Sequence, residues 1–307
     1  MGKVEQIVKA ARPIHWIKNL ALFAALIFTG TLFIKYYFVR VIWAFISFSL
    51  ISSSSYLIND VLDIEKDKKH PIKRFRPIAA GKVSKKEAIF LSAALAIVSL
   101  MIASSLSPLF FGFVLGYLIL QILYSLALKN FAILDILIVA TGFIIRVYSG
   151  AVVINAHLSV WFLLCVISVA LFLASGKRRA ELSLVTSGDT RASLTKYKTD
   201  LLNTYVSMFG NAAWMSWALF TFFESPPADL KIWLFLAEIS KATTINKLLM
   251  ATIPVVIFII MRYQSLIFED RTEAPEKILL SDIPLVTSIA IYIIAVILIL
   301  YGGTNAV

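Results

Sequence analysis

Apolar residues run along this chain in long stretches separated by short charged segments. A helix that crosses the hydrocarbon core of a bilayer needs roughly 20 predominantly apolar residues. Nine segments meet that length, at 14–34, 40–58, 87–105, 109–128, 132–154, 158–175, 202–222, 248–267 and 283–302. Two of their boundaries fall inside charge-free sequence. The run from Ala88 to Leu128 is too long for one span, and Ser104-Ser105-Leu106-Ser107-Pro108 supplies the turn. The run from Val147 to Gly176 is equally continuous, and its break is placed between Asn155 and Leu158. Asp229 to Lys241 is apolar but short, which suits a helix lying in the membrane interface.

Composition agrees with this pattern. Sixty per cent of the 307 residues are hydrophobic and 15% are charged, whereas soluble domains are nearer half apolar and a quarter charged. The mean hydropathy of +0.87 points the same way. The expectation is an all-α membrane protein, a single integral-membrane domain over 1–307 with no room for a separate soluble domain. The net charge of +11 would suggest nucleic acid in a soluble chain. Here it reads as an orientation signal and an attraction to anionic ligands, with no nucleic-acid partner. The lone Cys165 excludes an intrachain disulfide, and the scattered His15, His70 and His157 suggest no zinc site. The basic N-terminal stretch and the apolar Leu20–Ile34 imitate a signal peptide, but further spans follow and no small-residue cleavage site appears. This stretch reads as a retained first span.

Lysine and arginine fix the orientation. With the N-terminus in the cytoplasm, the cytoplasmic segments hold 23 of them and the opposite side holds five, with Arg146 left inside a span. That asymmetry follows the positive-inside rule. It places the protein in the plasma membrane with its C-terminus outside. The two densely charged loops, 59–86 and 176–201, then share the cytoplasmic face. A transporter usually keeps its ionisable groups near the midplane. Charge gathered at one face favours an enzyme that joins a lipid to a soluble polar co-substrate.

The run Asn59-Asp60-Val61-Leu62-Asp63-Ile64-Glu65-Lys66-Asp67 closes the second span. Asp60, Asp63 and Asp67 share one face of a helix, with Asn59 an i, i+4 neighbour of Asp63. Stacked carboxylates repel one another unless a cation lies between them. Carboxylate and amide oxygens suit Mg²⁺, which also coordinates substrate phosphates. Asn59, Asp60, Asp63 and Asp67 are therefore candidate metal ligands, the three aspartates are the candidate catalytic residues, and ordinary solvated charge at a helix end is the alternative.

Nine basic residues follow between Lys66 and Lys86. They read as topology determinants, or as phosphate ligands beside the carboxylates, with Arg74, Arg76 and Lys82 the strongest candidates. Asp135 and Arg146 are eleven residues apart and share a helix face. Arg146 lies deep in a span, where charge is expensive, so it marks either a phosphate site or an interhelical ion pair. Lys177 and Glu181 stand at i, i+4 and are able simply to pair. Lys18 and Asn19 open the first span, Tyr124 and Lys129 end the fourth, and each also suits an interfacial anchor.

The spacing Asn59-Asp60-x-x-Asp63-x-x-x-Asp67, followed by Arg76-Pro77-Ile78-Ala79-Ala80-Gly81-Lys82-Val83-Ser84, resembles the first signature of the UbiA-type prenyltransferase superfamily. The resemblance implies nine helices around a central cavity open to lipid, and Mg²⁺ held by two Asp-rich motifs that grip a diphosphate. The place of the second motif departs from that pattern. It reads Gly176-Lys177-Arg178-Arg179-Ala180-Glu181-Leu182, with a single acidic residue after three cations. A more specific likeness is to the polyprenyl-phosphate phosphoribosyltransferase branch. It rests on Arg12-Pro13-Ile14-His15-Trp16-Ile17-Lys18-Asn19, Tyr124-Ser125-Leu126-Ala127-Leu128-Lys129-Asn130 through Asp135, Gly142-Phe143-Ile144-Ile145-Arg146, Gly176-Lys177-Arg178 and Ala274-Pro275-Glu276-Lys277. That branch implies phosphoribosyl pyrophosphate as donor and a polyprenyl phosphate as acceptor. It makes Lys18, Asn19, Tyr124, Lys129, Asp135, Arg146, Lys177 and Arg178 substrate ligands, with Glu181 meeting the metal or a ribose hydroxyl. The alternative is transfer of a prenyl group from a prenyl diphosphate to an aromatic or glycerol-type acceptor.

Overall fold

The structure, a computed structural model, describes residues 2–70, 72–183, 197–224, 243–269 and 281–302. The expected interfacial helix at Asp229–Lys241 and the motif Ala274–Lys277 lie outside them. Among the described residues all regular structure is helical. The described residues divide into two compact units: those within Met1–Ala24 and Tyr36–Ala156, and those within Ala25–Lys35, His157–Thr186 and Tyr197–Val307.

The first unit contains α1 (Lys3–Ala11), a 3₁₀ segment (Pro13–Leu22), α3 (Lys35–Leu62), α4 (Ile64–Lys69), α5 (Lys85–Leu106), α6 (Pro108–Leu126) and α7 (Leu134–Val153). Between the 3₁₀ segment and α3 lies α2 (Phe23–Phe28). α3 and α5 meet along a seam of serines. Ser47 Oγ donates to the Ser99 carbonyl at 3.0 Å and Ser99 Oγ to the Ser47 carbonyl at 2.8 Å. Ser92 Oγ donates to the Ser54 carbonyl at 3.0 Å. The pairs recur seven residues apart in opposite chain directions, so the helices are antiparallel. Small residues let apolar helices approach closely, and each hydroxyl finds a partner without water.

Arg40, near the start of α3, gathers the far ends of two other helices. Its Nε donates to the Val153 carbonyl at 2.8 Å and its Nη2 to the Leu106 carbonyl at 2.7 Å. These carbonyls belong to last turns, where the helix supplies no donor. The other end of the unit carries the acidic run and its partners.

The second unit packs α8 (Val160–Ser183) along α9 (Thr199–Phe223), with α10 (Ile253–Phe268) and α11 (Ile283–Tyr301). Its core holds Phe172, Val206, Ala213, Ile260, Tyr263 and Leu285. The Tyr301 hydroxyl donates to the Ile27 carbonyl at 2.6 Å and accepts the Leu32 N–H at 3.3 Å, which ties Ala25–Lys35 to α11.

Seven helices among the described residues are long and apolar enough to cross a bilayer. The protein is an integral membrane protein. Two of the nine expected spans are not among these seven. The segment 14–34 is not one helix: the 3₁₀ run passes into α2, which ends at Phe28, and Gly30 turns the chain at φ 74°. A 3₁₀ run of ten residues is unusual, and tertiary contact explains it. α7 presses on this segment at Gly150, where an added Cβ would lie 2.0 Å from the Leu22 carbonyl oxygen. The segment 202–222 is helical as expected, within the 25 residues of α9. Asn203, Asn211 and its serines make it less apolar than the seven.

Candidate active site

The end of α3 opposite Arg40 holds most of the polar chemistry of the first unit. α3 stops at Leu62, Asp63 has φ −95° and ψ 7°, and α4 begins at Ile64. The i→i−4 bonding nevertheless continues through the break, from Asp63 N–H to the Asn59 carbonyl at 3.0 Å and from Asp67 N–H to the Asp63 carbonyl at 2.8 Å. The chain then returns. Gly81, at φ 72°, closes the turn after Arg76, and Ile78 and Val83 pack against Ala10, Leu57, Ile64 and Ala88. That small apolar cluster sets Arg76 beside the acidic run. The next helix is fixed by a capping box, in which Ser84 Oγ accepts the Glu87 N–H and Glu87 accepts the Ser84 N–H.

The expected stack of three carboxylates is divided here into a pair and a single. Arg76 Nη1 lies between the pair, 3.1 Å from Asp60 Oδ1 and 2.7 Å from Asp67 Oδ2. Arg12 Nη2 donates to both oxygens of Asp60 at 2.6 and 2.8 Å. Asp63 turns away to Lys129, whose Nζ is 2.6 Å from each of its oxygens. Mutual repulsion and three cations arriving from different segments explain the division. Among the described residues no three carboxylate, imidazole or thiolate side chains converge as a metal centre.

The donor set still fits a hard cation. It is made of carboxylate and amide oxygens, as Mg²⁺ requires. One cationic nitrogen already bridges Asp60 and Asp67. Arg12, Arg76 and Lys129 bond the three carboxylates, and the charge of Lys73 also acts on Asp67. Asp60, Asp67 and Lys129 are buried. Burial pushes the Asp67 carboxyl above its ordinary value; Arg76 pulls it back and the Asp60 charge adds to the rise.

A second network lies among the helices of the same unit. Arg146 is 4% exposed. Its Nε donates to Asn19 Oδ1 at 2.6 Å, and its Nη2 to the Tyr117 hydroxyl at 2.8 Å and to Ser52 Oγ at 3.3 Å. Nη1 donates to the Gly142 carbonyl. Asn19 in turn donates to Ser49 Oγ at 3.1 Å. Four donors of this arginine therefore hold neutral groups, and one of them is Asn19 of the 3₁₀ segment.

The other expected residues are spread around these networks. Asn59 is half-buried in the last turn of α3 and Asp135 is buried in the first turn of α7. Lys18 and Tyr124 are half-buried. Arg74 is exposed, 4.8 Å from the Phe75 ring, and Lys82 is exposed beside Gly81. Lys177, Arg178 and Glu181 belong to the second unit. There the buried Arg178 pairs with Glu181, and Lys177 is half-buried. Arg179 Nε donates to Asn203 Oδ1 at 2.7 Å. Arg12 opens the N-terminal motif named above but is not among the expected site residues. Its signal was present, since it ends α1 immediately before Pro13, but its partner is 48 residues away.

The helical architecture and the cation-paired acidic run describe a membrane protein with a charged site at one end of its first unit, and known proteins place it. Residues 19–177 match the UbiA prenyltransferase family, and the chain belongs to that family. The decaprenyl-phosphate phosphoribosyltransferase of Mycolicibacterium smegmatis is 40% identical over 233 residues, covering 74% of this chain and 73% of that protein. The enzyme of the same description from Mycobacterium tuberculosis is 37% identical over 225 residues, 71% of this chain and 74% of its own. A UbiA homologue from Archaeoglobus fulgidus, solved with GPP and Mg²⁺ bound, superposes with a TM-score of 0.66 at 17% identity over 96% of this chain and 99% of that one. That likeness shows a shared fold.

Proposed function

We propose that the protein transfers 5-phosphoribose from phosphoribosyl pyrophosphate to a polyprenyl phosphate, giving a lipid-linked phosphoribose. The observation that carries this reading is the 37–40% identity to decaprenyl-phosphate phosphoribosyltransferases over more than two thirds of the chain. The setting is one transferase over 1–307, with nine spans around a cavity and both N-terminus and active site on the cytoplasmic side of the plasma membrane. The seven apolar helices, the 3₁₀ segment leading into α2, and α9 together supply nine candidates.

In this reading Asn59, Asp60, Asp63 and Asp67 hold Mg²⁺. When bound, that ion supplies charge neutralisation to the pyrophosphate leaving group. Arg12, Arg76 and Lys129 already sit on the carboxylates and are placed to take phosphate oxygens. Lys18, Arg74, Lys82 and Tyr124 border the donor site, and Asp135 meets a ribose hydroxyl. Arg146 holds Asn19 in place, and so sets the 3₁₀ segment that carries Lys18. On the second unit, Lys177 and Arg178 bind phosphate, with Glu181 orienting Arg178. The bond from ribose C1 to pyrophosphate oxygen breaks and a bond from C1 to the acceptor phosphate oxygen forms. The acceptor is already anionic at neutral pH, so the transfer needs no general base, in keeping with the arginine and lysine side chains that meet the acidic run.

The test supplies purified protein with Mg²⁺, labelled phosphoribosyl pyrophosphate and decaprenyl phosphate, and in a parallel arm geranyl diphosphate with aromatic acceptors. Label passing from the first donor into the lipid is the expected result. Transfer only in the second arm would establish prenyl transfer instead.

A further inference from the structure

Asp60 is the most heavily covered carboxylate in the acidic run. It is 2% exposed and receives three hydrogen bonds from two guanidinium groups. Both of its oxygens are held by Arg12. Arg12 itself is less buried, with 19% of its side chain exposed, so it lies between Asp60 and the outside. Its backbone is in the left-handed region at φ 54°, where it ends α1, and its guanidinium stands 5.3 Å from the centre of the Tyr56 ring. α1 is anchored at its other end by the Lys3–Glu87 ion pair and along its length by Ala10 in the apolar cluster. The backbone that carries Arg12 is thus fixed, while the side chain has an aromatic face on which to rest.

Three of the roughly four lone-pair positions of the Asp60 carboxylate are taken by the two guanidinium groups, so a metal that uses both of its oxygens competes with Arg12. A divalent ion entering alone competes with Arg12 for Asp60 and adds two positive charges to a cluster that already holds three cations. A pyrophosphate that arrives with the ion supplies negative charge and gives the displaced guanidinium a new bidentate partner. We propose that Arg12 is a positioning residue that occupies Asp60 until metal and pyrophosphate are both present, making their binding cooperative and discouraging metal alone. The proposal rests on the phosphoribosyl-transfer reading insofar as it takes a metal–pyrophosphate complex as the ligand. By linkage, pyrophosphate must tighten metal binding by the same factor as metal tightens pyrophosphate binding.

Protein-bound Mn²⁺ is measured by electron paramagnetic resonance in purified protein, with and without inorganic pyrophosphate, for the natural sequence, Arg12→Gln and Arg12→Lys. Pyrophosphate should tighten Mn²⁺ binding to the natural protein by about tenfold, a usual size for coupling between sites. Arg12→Gln should bind Mn²⁺ alone several-fold more tightly than the natural protein and lose most of the gain from pyrophosphate. Arg12→Lys should keep part of that gain. A residue that only supported the fold would weaken Mn²⁺ binding when replaced, so tighter binding separates the two roles. Cooperative binding that survives Arg12→Gln unchanged would overturn the role of Arg12 and leave the transferase reading standing. Absence of Mn²⁺ binding in the natural protein under both conditions would overturn both.

Discussion

Gly150 shows how little space separates α7 from the 3₁₀ segment. A methyl group there would lie 2.0 Å from the Leu22 carbonyl oxygen and 2.8 Å from its carbon. Backbone atoms do not move aside as a side-chain tip does, so Gly150→Ala must shift one segment against the other. The expected cost is about 1–3 kcal/mol, the usual range for overpacking. It is read as a lower unfolding midpoint in detergent, and a Gly150→Ala protein as heat-stable as the natural one would show that the two segments are less tightly joined. Asp63 poses the opposite case, a residue whose charge matters more than its volume. Asp63→Asn keeps the shape but removes the charge that faces Lys129 and that the proposed metal would meet. Transfer should fall below detection while the protein still inserts in membranes, and normal activity would remove Asp63 from the proposed metal site. The spacing of Asp60, Asp63 and Asp67 was legible in sequence because i, i+3 and i+7 is a local property. Their partners were not, because Arg12 and Lys129 lie 48 and 66 residues from the carboxylates they meet.

Helix ends carry the next level of specificity. Asp282 closes the N-terminus of α11: its Oδ1 accepts the Leu285 N–H at 2.9 Å and Arg262 Nε at 3.1 Å, while Oδ2 accepts Arg262 Nη2 at 2.7 Å. The hydrogen bond from Arg262 is the main reason its carboxyl lies below the ordinary value of 3.8. A carboxylate lowered in this way stabilises the fold fully above its unfolded value. That stability is lost as pH falls from 3.8 through the lowered value. Asp282→Asn keeps the cap and should flatten this part of the acid dependence. Asp282→Ala also removes the cap and should cost about 1 kcal/mol at neutral pH. Unfolding midpoints followed from pH 7 to pH 3 separate the two, and identical acid profiles for the natural and Asn proteins would dismiss the ion pair. Apolar runs gave α5, α6, α7 and α11 to within about two residues, because each is one uninterrupted hydrophobic stretch bounded by polar residues. The 3₁₀ form of Pro13–Leu22 was hidden, since the same run of residues suits an α-helix until Arg146 and Gly150 of α7 bear on it.

At the scale of the whole chain, the membrane face that sees the acidic run decides which substrates reach it. Arg40 brings the Leu106 and Val153 carbonyls to the start of α3, and Lys129 meets Asp63 at the end of α3. The helices α3, α5, α6 and α7 therefore alternate in direction, with Tyr36 and Asn155 at one end of the first unit and Lys69 and Lys82 at the other. α3 alone is 28 residues long, about 42 Å at the helical rise of 1.5 Å per residue. This exceeds the roughly 30 Å hydrocarbon core, so the two ends emerge on opposite sides. The 23-to-5 division of lysine and arginine supports the proposal that the acidic end faces the cytoplasm. Cys165 is buried and is the single cysteine, so Cys165→Ala provides a background without thiols. Single cysteines at 36 and 155 should then react with a membrane-impermeant maleimide on intact cells. Cysteines at 69 and 82 should react only after permeabilisation. A cysteine at Gly302 should behave like those at 36 and 155 if the chain crosses nine times, and like those at 69 and 82 if it crosses eight. The reverse pattern at 36, 155, 69 and 82 would put the carboxylates outside the cell, away from a cytoplasmic sugar-phosphate donor, and with them the proposed reaction would fall.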